Sequence, residues 1–455
     1  MKHSPLLLPL VLGLISGTSV SATVTPEAWP NAPVTLQNAL DIALTRSPAI
    51  LKGKQEVEES QGLALQLKSV VTPKVAATGG YNIIDQGKIE KAQFSPAVAP
   101  FSFQQDQNWN AGISVFQPLF AGGKLRSSLR SAKLTKAAAL ASYQALVADA
   151  LLDIRITYAD ILLATELIKT QEASVQLLQQ ELVDTRRRFE AGTVPQFNVL
   201  RAEVELANAK PKLIRARNAR RLAKNNLATL LGWNVPQDAG LDIPLELADT
   251  LRAEPYATDL SAAVLLGLRQ RPELAGLRLH EKQRTEEVIQ AKSDYVPKLN
   301  AVAGYGWQSR SFTSDLSQEN HGWSAGLQLN WSLFDFDLTR GKVAAAQAHQ
   351  ERARVETQDT FRKIEQEIRT AHSNLLEARE VLESQAKVIE QGTEALRLAN
   401  ARVDAGSGTQ LEVLSAQTAL TEARTTYSQT LRDYVIARAR LERATGQGTT
   451  LQSDR

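Results

Sequence analysis

The chain has 455 residues, of which 43% are hydrophobic, 22% charged and 5% aromatic, a composition that excludes a disordered or collagen-like polymer. Its 52 basic and 49 acidic side chains nearly cancel, which removes any compositional case for nucleic acid or a polyanionic partner. With no cysteine, it excludes disulfide scaffolds, thiolate metal sites, cysteine nucleophiles and a cysteine-linked lipid anchor.

Residues 1–22 read as a secretory leader. Lys2 and His3 open it, Leu6 to Ile15 is apolar, and Val20-Ser21-Ala22 supplies the small residues that precede cleavage. Beyond it no window of about 18 apolar residues occurs, so no membrane-spanning helix is expected. A periplasmic protein, an extracellular protein and an outer-membrane β-barrel remain open at this point.

The sequence is an internal duplication. Arg188-Phe189-Glu190-Ala191-Gly192 returns as Arg402-Val403-Asp404-Ala405-Gly406, and Gln196, Val199, Leu200, Ala202 and Leu206 return as Gln410, Val413, Leu414, Ala416 and Leu420, all at a spacing of 214. Upstream the spacing is 224, pairing Pro48 with Pro272, Pro73-Lys74 with Pro297-Lys298, and Gly80-Tyr81 with Gly304-Tyr305. The ten extra residues fall in a loop between Tyr81 and Pro118. The expected organisation is a first repeat over 23–231, a connector over 232–258 with Pro236, Pro244 and Pro255, a second repeat over 259–445 and a tail over 446–455.

Each repeat is predicted to carry a helix, two strands, a very long helix and a return helix. The strands are placed near 73–83 and 108–118, then near 297–309 and 322–333, where apolar residues alternate with small or polar ones. Trp109, Ala111, Ile113 and Val115 are one such row; Trp323, Ala325, Leu327, Leu329 and Trp331 are another. Tyr81, Trp109, Tyr305, Trp307, Trp323 and Trp331 mark the strand ends, as membrane-interface aromatics do in transmembrane β-strands. The long helices are placed over 121–191 and 337–405. Lys124 to Ala191 contains neither Gly nor Pro and extends about 100 Å at about 1.5 Å per residue. A seven-residue apolar row, Leu140, Val147, Ile154, Ile161, Ile168, Val175, Leu182 and Phe189, predicts a coiled-coil seam. Its mate is Phe361, Ile368, Leu375, Leu382, Ile389, Leu396 and Val403. Return helices over 196–230 and 409–444 make each repeat an antiparallel hairpin with a glycine at its tip. Four strands cannot close a barrel, and an open edge cannot stand in hydrocarbon, so a ring of copies is required without its number being fixed.

This order, with R-x-x-A-G-x-x-x-Q-x-x-V-L-x-A at 188–202 and 402–416, resembles the TolC-like outer-membrane efflux proteins. The resemblance implies a homotrimer in the outer membrane of a Gram-negative bacterium: a twelve-stranded barrel continued by a periplasmic α-helical barrel. It would passively conduct substrate delivered by an inner-membrane ABC or RND-type pump through a periplasmic adaptor (membrane fusion) protein, in type I protein secretion or small-molecule efflux. It also implies adaptor docking at Ala191, Gly192, Thr193, Val194 and Pro195 and at Ala405, Gly406, Ser407, Gly408 and Thr409. The gate positions of the family fall on Asn198, Glu412, Ser415 and Gly408, of which only Glu412 keeps the charge. The missing lipidation cysteine sets the chain apart from the lipid-anchored drug-efflux branch.

No catalytic, cofactor or metal motif is present: the histidines show no H-E-x-x-H spacing, and no G-x-S-x-G or phosphate-binding glycine loop occurs. The chain is therefore read as a non-enzyme without cofactor and without nucleic-acid partner. The competing reading is a periplasmic coiled-coil adaptor or scaffold, which would not need the same alternating strand pair twice. Taken singly, Gly192, Gly406 and Pro195 suit any helical hairpin, and Glu412 any helix N-terminus.

Overall fold

The computed structural model describes residues 32–90, 92, 95, 102, 106–235, 240–257, 259–309 and 316–447. The leader over 1–22, Pro236, residues 448–455 and parts of the loops 84–107 and 310–321 lie outside them.

Each repeat begins with two helices where one was expected: α1 (Leu36–Arg46) and α2 (Pro48–Ser69), then α5 (Leu260–Gln270) and α6 (Pro272–Lys292). The break has a local cause. Pro48 and Pro272 each sit at the first helical position and lack the N–H that would continue the preceding helix. Thr35 caps α1 by accepting from the Asn38 N–H at 3.2 Å, and Asp259 caps α5 by accepting from the Ala262 N–H at 3.0 Å. The long helices α3 (Lys124–Glu190) and α7 (Leu338–Asp404) have 67 residues each, and the return helices α4 (Gln196–Leu230) and α8 (Gln410–Ala444) have 35 each.

Two apolar clusters hold the middle of the long helices. One gathers Leu40 of α1, Leu151, Ile154, Tyr158 and Ile161 of α3, Leu227 of α4, and Ile243 and Leu245 of the connector. The other gathers Ala263 of α5, Leu274 of α6, Ile364, Ile368 and Leu375 of α7, and Tyr434 and Leu441 of α8. The heptad row is therefore buried at its centre, whereas Leu140 and Phe189 near its ends are each 42% exposed. The neighbouring row, Thr157, Ala164, Gln171, Leu178 and Thr185, is buried as well, because α3 packs on both α4 and α8, while Lys169, Gln176, Gln180 and Val183 keep another side of the helix in water. Glycine ends both return helices for a steric reason. Gly232 has φ +72, and a Cβ on it would lie 2.6 Å from the Arg46 carbonyl oxygen, at the break between α1 and α2. Its repeat mate Gly446, φ +81, meets Gln270 and Arg271 at the break between α5 and α6.

The strands β1 (Lys74–Ile83), β2 (Gln107–Ala121), β3 (Lys298–Ser309) and β4 (Glu319–Asn330) form one antiparallel sheet in the order β1-β2-β3-β4, so the hairpins of the two repeats pair side by side. The last strand ends at Asn330 rather than at 333. Trp331 lies outside it and donates its indole N–H to the Tyr295 carbonyl at 3.2 Å. β2 runs on to Ala121, with a register shift between Pro118 and Phe120 where proline has no N–H to give the ladder. Gly122 and Gly123, at φ +56 and +91, then turn the chain into α3, which delays its start to Lys124. In the second repeat the same turn is made by Phe336 and Asp337, at φ +51 and +66.

Candidate functional site: an amphiphilic sheet and two helical tips

The pairing register decides the character of the sheet. Val75 lies opposite Val115, Ala77 opposite Ile113, and Tyr81 opposite Trp109. Ile113 lies opposite Tyr305 and Ala111 opposite Trp307, and across the last pair Tyr305 meets Trp323, Ala301 meets Leu327, and Leu299 meets Leu329. Directly opposed residues point to the same face, so all four apolar rows share one face. The other face carries Thr78, Asn110, Gly112, Ser114, Gly304, Gly306, Ser324 and Gln328, mostly small or polar, with Phe116 and Val302 as its apolar pair. Among the described residues no helix layer covers the apolar face: Val75 is 69% exposed, Trp323 79% and Leu327 69%. A continuous uncovered apolar face of this kind marks contact with another chain or with lipid.

The aromatics gather at the two ends of that face. Tyr81, Trp109, Trp307, Tyr305 and Trp323 stand near the loop end, where the Tyr81 hydroxyl donates to Gln107 Oε1 at 2.9 Å and the Trp109 indole to the Leu316 carbonyl at 3.1 Å. Trp331 stands at the helix end. There the structure adds residues that the alternation pattern passed over: Phe120, Phe334 and Phe336, each at least half exposed, the last two in edge-to-face contact with ring centroids 4.5 Å apart. A tilted strand of about 9 to 11 residues spans a bilayer, and these strands have 10, 15, 12 and 12.

At the far end of the hairpins the two tips are built alike. Gly192, at φ +73, donates to the Phe189 carbonyl and Thr193 to that of Arg188, while Gly406, at φ +72, donates to Val403 and Ser407 to Arg402. These are the paired bonds of a Schellman stop. Val194 and Pro195 lead into α4. Thr409 caps α8 by accepting from the Glu412 N–H at 3.3 Å. The two tips differ in charge. Glu412 lies 3.6 Å from the Arg402 guanidinium, a partner that the sequence pattern did not indicate. Asn198, in the place of Glu412 in the first repeat, donates its N–H to the Pro195 carbonyl and makes no side-chain hydrogen bond among the described residues, and Ser415 is exposed. Gly408 has no room for a side chain: a Cβ would lie 2.9 Å from Arg402 Cβ and 3.0 Å from the Val403 nitrogen. Of the four gate candidates, the structure of one chain brings only Glu412 to a charged partner.

Between sheet and tips, a buried ionic network joins four helices. Glu273 at the start of α6 accepts from Arg271 and from Arg443 of α8; Arg443 also binds Asp149 of α3 at 2.7 Å, and Arg271 binds Glu367 of α7. Burial pushes the Glu273 carboxyl up, but the two guanidiniums outweigh it and hold it at about 2.

Residues 39–233 and 266–447, most of the chain, match the family described as outer membrane efflux protein. The chain belongs to that family. It is 24% identical over 352 residues, covering 74% of this chain and 70% of the relative, to the alkaline protease secretion protein AprF of Pseudomonas aeruginosa. It is 21% identical over 445 residues, covering 97% and 95%, to the outer membrane protein TolC of Vibrio cholerae. Among solved structures, the Campylobacter jejuni CmeC outer membrane channel superposes with a TM-score of 0.79 at 17% identity, over 92% of this chain and 87% of that one. The fold is that of the outer-membrane efflux channels. The chain is accordingly an outer-membrane channel component of an export system, with a large periplasmic portion.

Proposed function

We propose that three copies of the chain close their four-stranded sheets into one twelve-stranded barrel, and their hairpins into a helical tunnel that conducts substrate from an inner-membrane pump and a periplasmic adaptor to the cell exterior. The observation that carries this reading is the register: four apolar rows on one uncovered face, a mostly small and polar opposite face, and β1 and β4 as open edges. Lipid on the first face and water on the second satisfy that arrangement only if copies pair edge to edge. Tyr81, Trp109, Tyr305, Trp307, Trp323 and Trp331 would then seat at the two interfaces. The hairpins support the assembly too, since Phe197, Leu200, Val204, Ile214 and Leu222 leave an exposed apolar row on α4.

The tips Ala191 to Pro195 and Ala405 to Thr409 are the adaptor-docking ends in this reading. Glu412 is the charged gate position, held by Arg402 within its own hairpin, and Asn198, Ser415 and Gly408 line the same level without charge. Transport is passive: no reaction centre is needed when the pump supplies the energy. The similarity to a protease secretion protein favours a polypeptide cargo. The test is a comparison of culture-supernatant proteins between a parent strain and a clean deletion. Loss of one or a few secreted proteins, with their accumulation inside the cell, supports protein export; an unchanged supernatant with heightened sensitivity to toxic small molecules assigns the channel to efflux instead.

A further inference from the structure

The two repeats share a backbone but place opposite charge beside it at the level of the ionic network. A groove of about 460 Å³ runs along α7 and α8, with Leu152 of α3 at its edge. Lys363 of α7 and Arg440 and Arg443 of α8 line it, against one carboxylate, Glu367, while Thr370 and Asn374 add uncharged polar groups. At the spacing of 214 those six positions are, in the same order, Asp149, Asn226, Thr229, Asp153, Ile156 and Asp160 of the first repeat, three carboxylates and no cation. The same helices therefore pack without these cations, so folding alone does not account for them in the second repeat.

The two guanidiniums of the groove are not fully paired. The Arg443 side chain is 6% exposed; its Nε donates to Asp149 at 2.7 Å and its Nη2 to Glu273, but its buried Nη1 has no acceptor among the described residues. A buried guanidinium N–H without a partner is costly, and native proteins rarely keep one. Arg440 is exposed and makes no ion pair or hydrogen bond among the described residues. The neighbouring carboxylates are already engaged, Glu367 by Arg271 and Asp149 by Arg443, and Lys363 is held by Asp359 at 2.7 Å. Two guanidiniums short of an acceptor on one polar groove suit a carboxylate or phosphate group, whose oxygens match their planar fork of N–H donors. The groove also has a direction. Ile364, Ile368 and Leu375 of α7 turn to α5, whereas Lys363, Thr370 and Asn374 lie round the helix from them and are exposed. In a closed ring of helices a second layer such as α5 fits only on the outside, since inside it would fill the tunnel; the groove then opens inward.

We propose that this groove is an oxyanion site on the tunnel wall, taking one carboxylate or phosphate group per chain between Arg440 and Arg443. Binding is a property of the single chain; its place on the conduction path rests on the ring of copies proposed above. The probe is inorganic phosphate, radiolabelled and dialysed to equilibrium against the purified full chain in detergent at fixed ionic strength. Arg440→Asn is compared with the parent and with Arg354→Gln, an exposed arginine of α7 outside the groove. Arg440→Asn copies the residue that the first repeat carries at the same place, so the helices are expected to pack as before. Parent and Arg354→Gln are expected to bind one phosphate per chain, and Arg440→Asn about tenfold more weakly, the loss of one charge-assisted hydrogen bond. No saturable binding, or equal binding by Arg440→Asn, overturns the site. An oligoglutamate peptide then separates the two sources of the anion: displacement of phosphate supports a site for carboxylates carried by cargo, and undisturbed phosphate supports a site for the free ion. In a planar lipid bilayer, phosphate is expected to lower the potassium current of the parent and to leave that of Arg440→Asn nearly unchanged. A current indifferent to bound phosphate overturns the inward opening, whereas a chain that binds phosphate but gives no multimer on a native gel overturns the ring and leaves the site standing.

Discussion

Replacing Arg443 by methionine tests whether the ionic network, rather than the apolar clusters around it, fastens the break between α5 and α6 to α7 and α8 of the second repeat. The Arg443 side chain is 6% exposed and its partner Glu273 25%, whereas Asp149 is 63% exposed. Truncating the buried partner leaves Glu273 with Arg271 alone and should cost about 3–5 kcal/mol, the range for breaking a buried pair. Asp149→Asn removes a contact already screened by water and should cost about 0–1 kcal/mol. The sign with pH follows from the lowered Glu273 carboxyl. Its contribution is fully present above the ordinary value of 4.5 and is lost as pH falls towards about 2. Its size is on the order of 3 kcal/mol. Apparent Tm by far-UV circular dichroism in detergent, recorded from pH 7 down to 2.5, is therefore expected to drop more steeply below pH 4.5 for the parent than for Arg443→Met. An Asp149→Asn variant as unstable as Arg443→Met, or parallel pH curves for the parent and Arg443→Met, would refute the assignment of the network as the fastening.

Three further outcomes follow from local geometry. Phe336 holds a left-handed backbone at φ +51 where its repeat mate is Gly122, so Phe336→Gly should be about 1 kcal/mol more stable than Phe336→Ala in detergent melts, since both lose the ring but only glycine sheds the strain. A Cβ on Gly267 would lie 2.4 Å from Ile368 Cδ1 and 2.9 Å from the Ala444 carbonyl oxygen; Gly267→Ala should therefore force α5 off α7 and α8 and cost about 1–3 kcal/mol, read as increased protease sensitivity of the waist. At the tip, Arg402→Gln removes a pair whose members are 58% and 40% exposed, so Tm should hold within a degree or so while single-channel conductance changes, because the guanidinium that neutralises Glu412 is gone.

Much of this fold is legible in the sequence because its largest elements obey period rules over long distances. The unbroken Lys124 to Ala191 stretch and its heptad row locate α3, and the strict alternation around Ile113 and Leu327 locates β2 and β4. The misses share a different cause. The Pro48 and Pro272 breaks are a single-residue backbone effect inside an otherwise continuous helical pattern, and the turn at Phe336 and Asp337 puts a phenylalanine, which carries no left-handed preference, where the first repeat has glycine. The Arg402–Glu412 pair bridges a hairpin, and Arg443 reaches Asp149 and Glu273 across several helices, so neither follows any i, i+3 or i, i+4 rule.

The duplication itself carries information that neither repeat holds alone. Leu200 and Leu414 occupy the same place in return helices of the same length, yet one is 52% exposed and the other 5%. Local propensity cannot account for the difference, since both are leucines one turn beyond the same kind of tip. What differs is the neighbour: α8 has α3 beside it in the chain, and α4 has water. An apolar side chain repeated at a position where its mate is core, but left uncovered, requires a covering surface from outside the chain, and the helix that stands to α4 as α3 stands to α8 is α7. The same comparison, applied to Thr185 and Ala399, shows where the repeats part in chemistry: Thr185 accepts from the Gln410 amide, whereas its mate Ala399, also buried, offers only a methyl group.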